Sequence, residues 1–343
     1  MVNKLKRGLP ETRMPYLLRN GEGRHYTFGK QTISVIADSN STGGEFEVFH
    51  IIGGKGEEFP IHHHIQAYES IMVLEGRVEL HIDDTYYVLT RGDYAHIPPG
   101  TKHGYRMNGH RNRILSYNVK GLVSPMYAVL GESYSHSHFP VESLHQWVSE
   151  DLINAAEVTD VCFATEPAEW GNAPYVEEEL LPEEVVPYVL EYGEGERLLT
   201  GDQLHRILAS QKNSNGAYIV VSTEGPKGEP IVEHYHEKHV ETFYCVQGQM
   251  TMWANGEEIR LHEGDFLHVP EGTLHAYRLD APYNRFVGLL ASGLFEPFFR
   301  TLGEPYEHFT FPNQPSPIRM DRVMVNLHEL DLKVVAKSPL KQD

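Results

Sequence analysis

Residues 15–136 and 187–308 are two copies of one unit, and this duplication limits the fold more than any other feature of the 343-residue chain. Pro15-Tyr16-Leu17-Leu18 with Gly21-Glu22-Gly23 recurs as Pro187-Tyr188-Val189-Leu190 with Gly193-Glu194-Gly195, a shift of 172. The same shift carries Lys55-Gly56 to Lys227-Gly228, Gly76 to Gly248, Gly92-Asp93 to Gly264-Asp265 and Asn112-Arg113 to Asn284-Arg285. A register that does not slip over so many positions is a repeat, so whatever one half folds into, the other half folds into as well.

Within each copy the pattern is that of strands. Arg77-Val78-Glu79-Leu80-His81-Ile82 and Gln249-Met250-Thr251-Met252-Trp253 alternate, the period of a half-buried strand. Asp83-Asp84, Asn255-Gly256, Arg91-Gly92-Asp93 and Glu263-Gly264-Asp265 punctuate them as turns. Short strands at this spacing predict an all-β chain of two sandwiches or small barrels with a few short helices. Without long helices alternating with strands, a parallel α/β sheet is excluded.

The expected division is an N-terminal domain at 1–140, a connection at 141–186 and a C-terminal domain with its tail at 187–343. In the connection, Val141, Leu144, Val148, Leu152 and Ala155 have helical spacing, followed by the acidic run Glu177-Glu178-Glu179 and Pro182. Helical stretches are also expected at Met126–Leu130 and Phe295–Leu302, and the tail from about 310 is expected to pack back onto a domain.

Charge narrows the partners. With 29 basic and 48 acidic residues the net charge is −19, which repels phosphate backbones and anionic lipid, so neither nucleic acid nor membrane is expected. No apolar run approaches bilayer length, and MVNKLKRGLPETRMPYLLR lacks the apolar core of a secretory signal. Two cysteines, Cys162 and Cys245, suit a reducing cytoplasmic setting.

The 21 histidines are the unusual count. His62, His64, Glu69 and His103 in the first copy are matched at the same spacing by His234, His236, Glu241 and His275 in the second. Residues i and i+2 on a strand share a face, so His62 converges with His64 while His63 points away. Glu69 follows a short turn, and His103 arrives from another strand after Pro98-Pro99-Gly100. Imidazoles with a carboxylate suit a divalent first-row metal and leave coordination positions open, whereas a structural zinc knot would call for sulfur. One metal is therefore expected in each half, with manganese, iron, cobalt, nickel and copper all compatible. His63, His81, His136, His138, His205, His239, His262 and His308 are read as surface or structural, and both cysteines as neither ligand nor nucleophile. His96 and His268 are read as packing residues or as hydrogen-bond partners behind the ligands. By parity with the ligands, Ile71, Val73, Tyr105 and Met107 should face the first cavity, and Phe243, Cys245, Tyr277 and Leu279 the second.

Both motif pairs resemble the cupin signature. MPYLLRNGEG at 14–23, GDYAHIPPGTKHGYRM at 92–107, LLTGDQLHRI at 198–207, EGPKGEPIVEHYHEKHVETFYCVQGQMTMW at 224–253 and GLFEPFFRTLGEPYE at 293–307 are similar to the bacterial bicupin quercetin 2,3-dioxygenases. The resemblance is weakest over 137–180. It departs from the usual cupin pattern where an asparagine often follows the last histidine by four residues; here those positions are Met107 and Leu279. The resemblance implies a bicupin of two jelly-roll domains that cleaves flavonols such as quercetin with O2, releasing carbon monoxide and a phenolic ester. It further implies Glu69 and Glu241 as general bases for the flavonol 3-hydroxyl, manganese or iron as the favoured metal, and a homodimer. The substrate supplies the electrons that O2 needs, and the chain carries no dinucleotide or phosphate-loop motif.

Two other readings fit the ligand sets. A manganese bicupin of the oxalate decarboxylase kind would want a cationic group near the metal, and no arginine sits at ligand parity beside either motif. A cupin that binds a sugar or small molecule without turnover would not need the carboxylate in both halves.

Overall fold

The computed structural model describes residues 4–143, 147–164 and 181–335. They form two compact units, Gly21–Gly193 and Met1–Asn20 with Glu194–Asp343. Each unit is a pair of β-sheets. The first has an eight-stranded and a five-stranded sheet, the second a nine-stranded and a five-stranded one. Alternating strands fill the space between the sheets with Leu, Ile, Val and aromatic side chains, as the period-two pattern requires. Among the described residues no helix is long and apolar enough to cross a membrane.

The units divide differently from the expected boundaries at one point. The leading strand of each repeat joins the unit built on the other repeat. Tyr16–Leu18 pairs antiparallel with Phe266–Val269, Tyr16 lying opposite His268. Tyr188–Leu190 pairs with Tyr94–Ile97, Tyr188 lying opposite His96. The backbone N–H groups of Asn20 and Tyr192 each donate over 2.9 Å to an aspartate, Asp265 and Asp93 respectively. The exchange is thus reciprocal in the repeat register.

Each repeat carries the same internal fasteners. Asn112 accepts from Arg77 N–H and Gly109 N–H and donates to the carbonyls of Gly53 and Gly109. Asn284 makes the equivalent bonds to Gln249, Ala281 and Gly225. Both side chains are buried with every amide function used, which locks a loop without leaving a polar group unpaired. Beside them, Gly76 turns the chain at φ +91°, and a Cβ there would stand 2.4 Å from the Arg111 carbonyl oxygen. Only glycine meets both demands.

The helices at Ser124–Leu130 and Glu296–Leu302 agree with expectation. The connection helix runs only over Ser149–Glu157, because Val141 and Val148 are exposed and find no apolar partner face. Leu144 and the Glu177-Glu178-Glu179 run lie outside the described residues. After this helix the chain returns as Val161–Phe163 and pairs with the histidine strand Glu58–His64. In the second unit the tail behaves alike: helix Met320–Asn326 precedes Lys333–Val334, which pairs with His234–Tyr235. Asp160 N–H to Leu122 and Ala164 N–H to Ile61 tie down one segment, and Val335 N–H to Glu233 ties down the other. Connection and tail are therefore the same element, related by 171 rather than 172 positions, and the repeat is longer than its matching residues reveal.

Candidate metal centres

His62 and His64 project from one face of Glu58–His64, and His103 lies directly opposite His62 on the neighbouring strand. Glu69 comes from Tyr68–Glu75 of the other sheet. The four side chains meet between the two sheets, with one ligand atom from each within 4.8 Å of the others. His234, His236, Glu241 and His275 form the same cluster in the second unit. The imidazole triangles match: ring centroids are 4.1, 5.2 and 5.4 Å apart in the first and 4.3, 5.0 and 5.2 Å in the second.

The orientation of the rings decides whether a metal fits. The Nδ1 atoms of His62, His103, His234 and His275 each donate over 2.9 Å to the carbonyl two residues back. His236 Nδ1 donates to the Asp331 carbonyl over 2.6 Å, and His64 Nδ1 is 3.6 Å from Asp160 Oδ1. Five of the six Nδ1 atoms are thus held by carbonyls and that of His64 faces the Asp160 carboxylate, so each Nε2 turns inward. His103 Nε2 is 2.8 Å and His64 Nε2 3.3 Å from Glu69 Oε2. His275 Nε2 is 3.1 Å from Glu241 Oε2, and the buried His236 Nε2 has no hydrogen-bond partner among the described residues. Buried lone pairs aimed at a carboxylate repel one another until a cation stands between them, so these residues fit a divalent first-row ion with nitrogen and oxygen ligands.

Charge states agree. Burial holds His62 well below the ordinary imidazole range, reinforced by His103 and His64, and lowers His234 to about 3 and His236 to about 4. Neutral imidazole is the ligating form. Burial pushes Glu69 and Glu241 up, but the surrounding imidazoles outweigh it and both carboxyls lie well below their usual range. His64 is the exception: burial pulls it down, yet the Asp160 and Glu69 carboxylates raise it to about 9, so this ring carries a proton that an arriving ion would displace.

The glutamates are fastened differently. In the first unit Ser116 Oγ donates to Glu69 Oε1 over 2.7 Å, and Asn118 Nδ2 donates to Ser116 Oγ over 2.8 Å. At the shift of 172 those positions are Gly288 and Leu290. In the second unit His239 stands beside the carboxylate instead, as a charge neighbour rather than a hydrogen-bond donor. Its Nε2 is 3.6 Å from Glu241 Oε1 and its Nδ1 donates to Asp331 Oδ2 over 2.8 Å. The first unit has Ala67 in its place. Asp160 and Asp331 also cap the turn after the histidine pair, accepting from Gln66 and Ala67 N–H and from Glu237 and Lys238 N–H.

Sequence reasoning missed Ser116, Asn118, His239 and both aspartates. The first three were visible as departures from the repeat; the aspartates were hidden by the one-residue slip. His96 and His268 pack away from the ligands: His96 stacks on Tyr188, and His268 donates to the Met14 carbonyl.

A cavity of about 490 Å³ opens on the second centre and is bordered by His234, Glu241, His275, Phe243 and Tyr277. Cys245 and Leu279 sit behind it, in the apolar cluster with Met250 and Leu267. Burial, Asp265 and Glu263 push the Cys245 thiol up to about 12. In the first unit Ile71, Val73, Tyr105 and Met107 belong to one apolar core, and the Tyr105 hydroxyl donates to Gln31 over 2.8 Å.

The family description for a cupin domain matches residues 48–116 and 221–282, one match per unit. The chain is 54% identical over 327 residues to quercetin 2,3-dioxygenase of Bacillus subtilis, covering 95% of this chain and 97% of that one. It belongs to the quercetin 2,3-dioxygenase family. Quercetin 2,3-dioxygenase of Aspergillus japonicus is 32% identical over 130 residues, 36% of this chain and 37% of its own. Among solved structures, procruciferin, the 11S globulin of Brassica napus, superposes with a TM-score of 0.56 at 10% identity, covering 82% of this chain and 85% of its own. That likeness is one of fold alone; the two cupin-domain matches, one in each unit, establish the bicupin architecture. Within the quercetin 2,3-dioxygenase family the two buried histidine–glutamate clusters imply a divalent metal in each unit.

Proposed function

We propose that this protein is a metal-dependent dioxygenase that opens the heterocyclic ring of flavonols with O2, releasing carbon monoxide and a phenolic ester. The observation that carries this reading is the near full-length relation to the Bacillus subtilis enzyme, with all eight histidine and glutamate positions gathered into two buried clusters. His62, His64, Glu69 and His103 would hold one metal, and His234, His236, Glu241 and His275 the other. Such an ion, when bound, acts as a Lewis acid that favours the deprotonated flavonol.

The chain's own groups do the rest. Glu69 and Glu241 are ionised by their imidazole neighbours and are the general bases that accept the 3-hydroxyl proton. Phe243, Phe286 and Phe295 of the second cavity exclude water and receive a flat aromatic ring. No lysine or arginine borders that cavity among the described residues, which disfavours a small dianion such as oxalate. Manganese or iron, a cytoplasmic setting consistent with two free cysteines, and a homodimer complete the reading.

Anaerobic addition of a flavonol, followed by admission of O2, tests it. Loss of the flavonol absorbance with release of carbon monoxide is expected. A bound spectrum unchanged by O2 would make the protein a binder, and carbon dioxide from oxalate would make it a decarboxylase. Elemental analysis and gel filtration test the metal and the dimer.

A further inference from the structure

The interiors of the two units differ in one respect that the metal ligands do not explain. In the first unit a single apolar cluster runs from Phe28 and Ile33 through Ile51 to Val73 and Ile114. In the second unit the corresponding core is split in two. Phe243 and Phe286 belong to one cluster, Leu290 and Phe295 to another, and the cavity is bordered by both. At the positions of Ile33 and Ile51, the shift of 172 places His205 and Thr223. Both border the cavity. His205 is 5% exposed, and its Nδ1 lies 2.9 Å from Thr223 Oγ1, its only hydrogen bond among the described residues, so Nε2 has no partner among them.

An imidazole nitrogen that opens onto a largely apolar cavity is a ready hydrogen-bond partner for a polar group on whatever occupies that cavity. Burial lowers His205 to about 4, so the ring is neutral at physiological pH and offers either a donor or an acceptor at Nε2, according to the direction of the Thr223 bond. A phenolic hydroxyl satisfies either case. The wall between His205 and the metal centre is aromatic: His205 to Phe299 is 5.3 Å between centroids, Phe299 to Phe295 5.7 Å, and Phe295 to His236 4.5 Å.

We infer that the second unit binds a hydroxylated planar aromatic along this wall, and that His205, braced by Thr223, is the specificity-determining residue that recognises a phenolic hydroxyl at the end remote from Glu241. This deepens the flavonol reading and rests on it.

The test is anaerobic titration of the metal-loaded protein with flavonols that lack, one ring at a time, the hydroxyls other than that at position 3. His205→Ile installs the residue of the first unit. It is expected to weaken binding of the fully hydroxylated flavonol by about tenfold or more. It should remove the dependence on one ring's hydroxyls and leave the flavonol lacking them within about twofold of wild type, with metal content unchanged. His205→Gln, which keeps a donor and an acceptor, should retain the dependence, and it serves equally should the Ile variant not fold. Equal weakening of every flavonol by His205→Ile, or loss of the dependence in neither ring, overturns the role of His205. Wild type that binds no flavonol refutes the proposed function instead. Wild type that binds hydroxylated and unhydroxylated flavonols equally well refutes His205 alone.

Discussion

The different fastening of the two glutamates makes the centres separately addressable. Ser116→Ala removes the hydroxyl that donates over 2.7 Å to Glu69 Oε1 and leaves the Asn118 amide, which donated to that hydroxyl, without its acceptor. The carboxylate is buried and ionised, so the lost bond is of the charge-assisted kind, about 1.5–3 kcal/mol. If that energy serves to orient the ligand oxygen, metal affinity at the first centre falls by roughly 10- to 150-fold, at 1.4 kcal/mol per factor of ten. The second centre has Gly288 at this position and no hydroxyl to lose. Its affinity should stay within about twofold of wild type, as expected for sites without shared partners. The assay is competition for manganese against a chelator of known affinity, fitted to two sites. Equal weakening of both centres, or of neither, would refute the argument that Ser116 holds Glu69 in place. His239→Ala is the mirror experiment, since it should weaken the second centre alone.

Other outcomes follow from the same geometry. His62→Ala or His103→Ala should halve the metal content, measured by elemental analysis, while the second centre keeps its ion; wild-type content would exclude them as ligands. Gly76→Ala combines a left-handed backbone with a Cβ 2.4 Å from a carbonyl oxygen and should destabilise by about 1–3 kcal/mol. In thermal unfolding that is a fall of about 2–12 °C for a unit of this size. With its pKa raised to about 12, the Cys245 thiol stays protonated below that pH, so alkylation at pH 8 followed by mass spectrometry should find Cys245 unmodified in folded protein. Reaction of Cys245 as fast as in the unfolded chain would contradict that environment.

How much of this was legible in the sequence depends on whether an interaction is written in type and spacing. His62 and His64 could be paired because two residues on a strand always share a face. Glu69 and His103 could be added because the second copy repeats their spacing. The exchange of Tyr16–Leu18 and Tyr188–Leu190 could not be read, because a strand's sequence states which face is apolar and not which neighbour it hydrogen-bonds. Asp160 and Asp331 escaped because they work through backbone N–H groups and a return strand whose register has slipped by one residue. His205 and His239 were visible as departures from the repeat, standing where the first copy has Ile33 and Ala67, but the departure alone does not say what either ring does. What marks them is the company they keep across the sheets, Thr223 for one and Asp331 for the other.

The reciprocal exchange of leading strands has a consequence for the chain's history and for its engineering. A polypeptide severed between the repeats would yield two fragments, each carrying a strand that pairs in the other's sheet and each exposing the ladder that strand had covered. Unpaired edges seek partners. Each fragment would lack one strand of its own sheet, and the two together are complementary. This is also the arrangement that two copies of a single-repeat ancestor would reach by trading their first strands, with gene fusion then making the trade permanent.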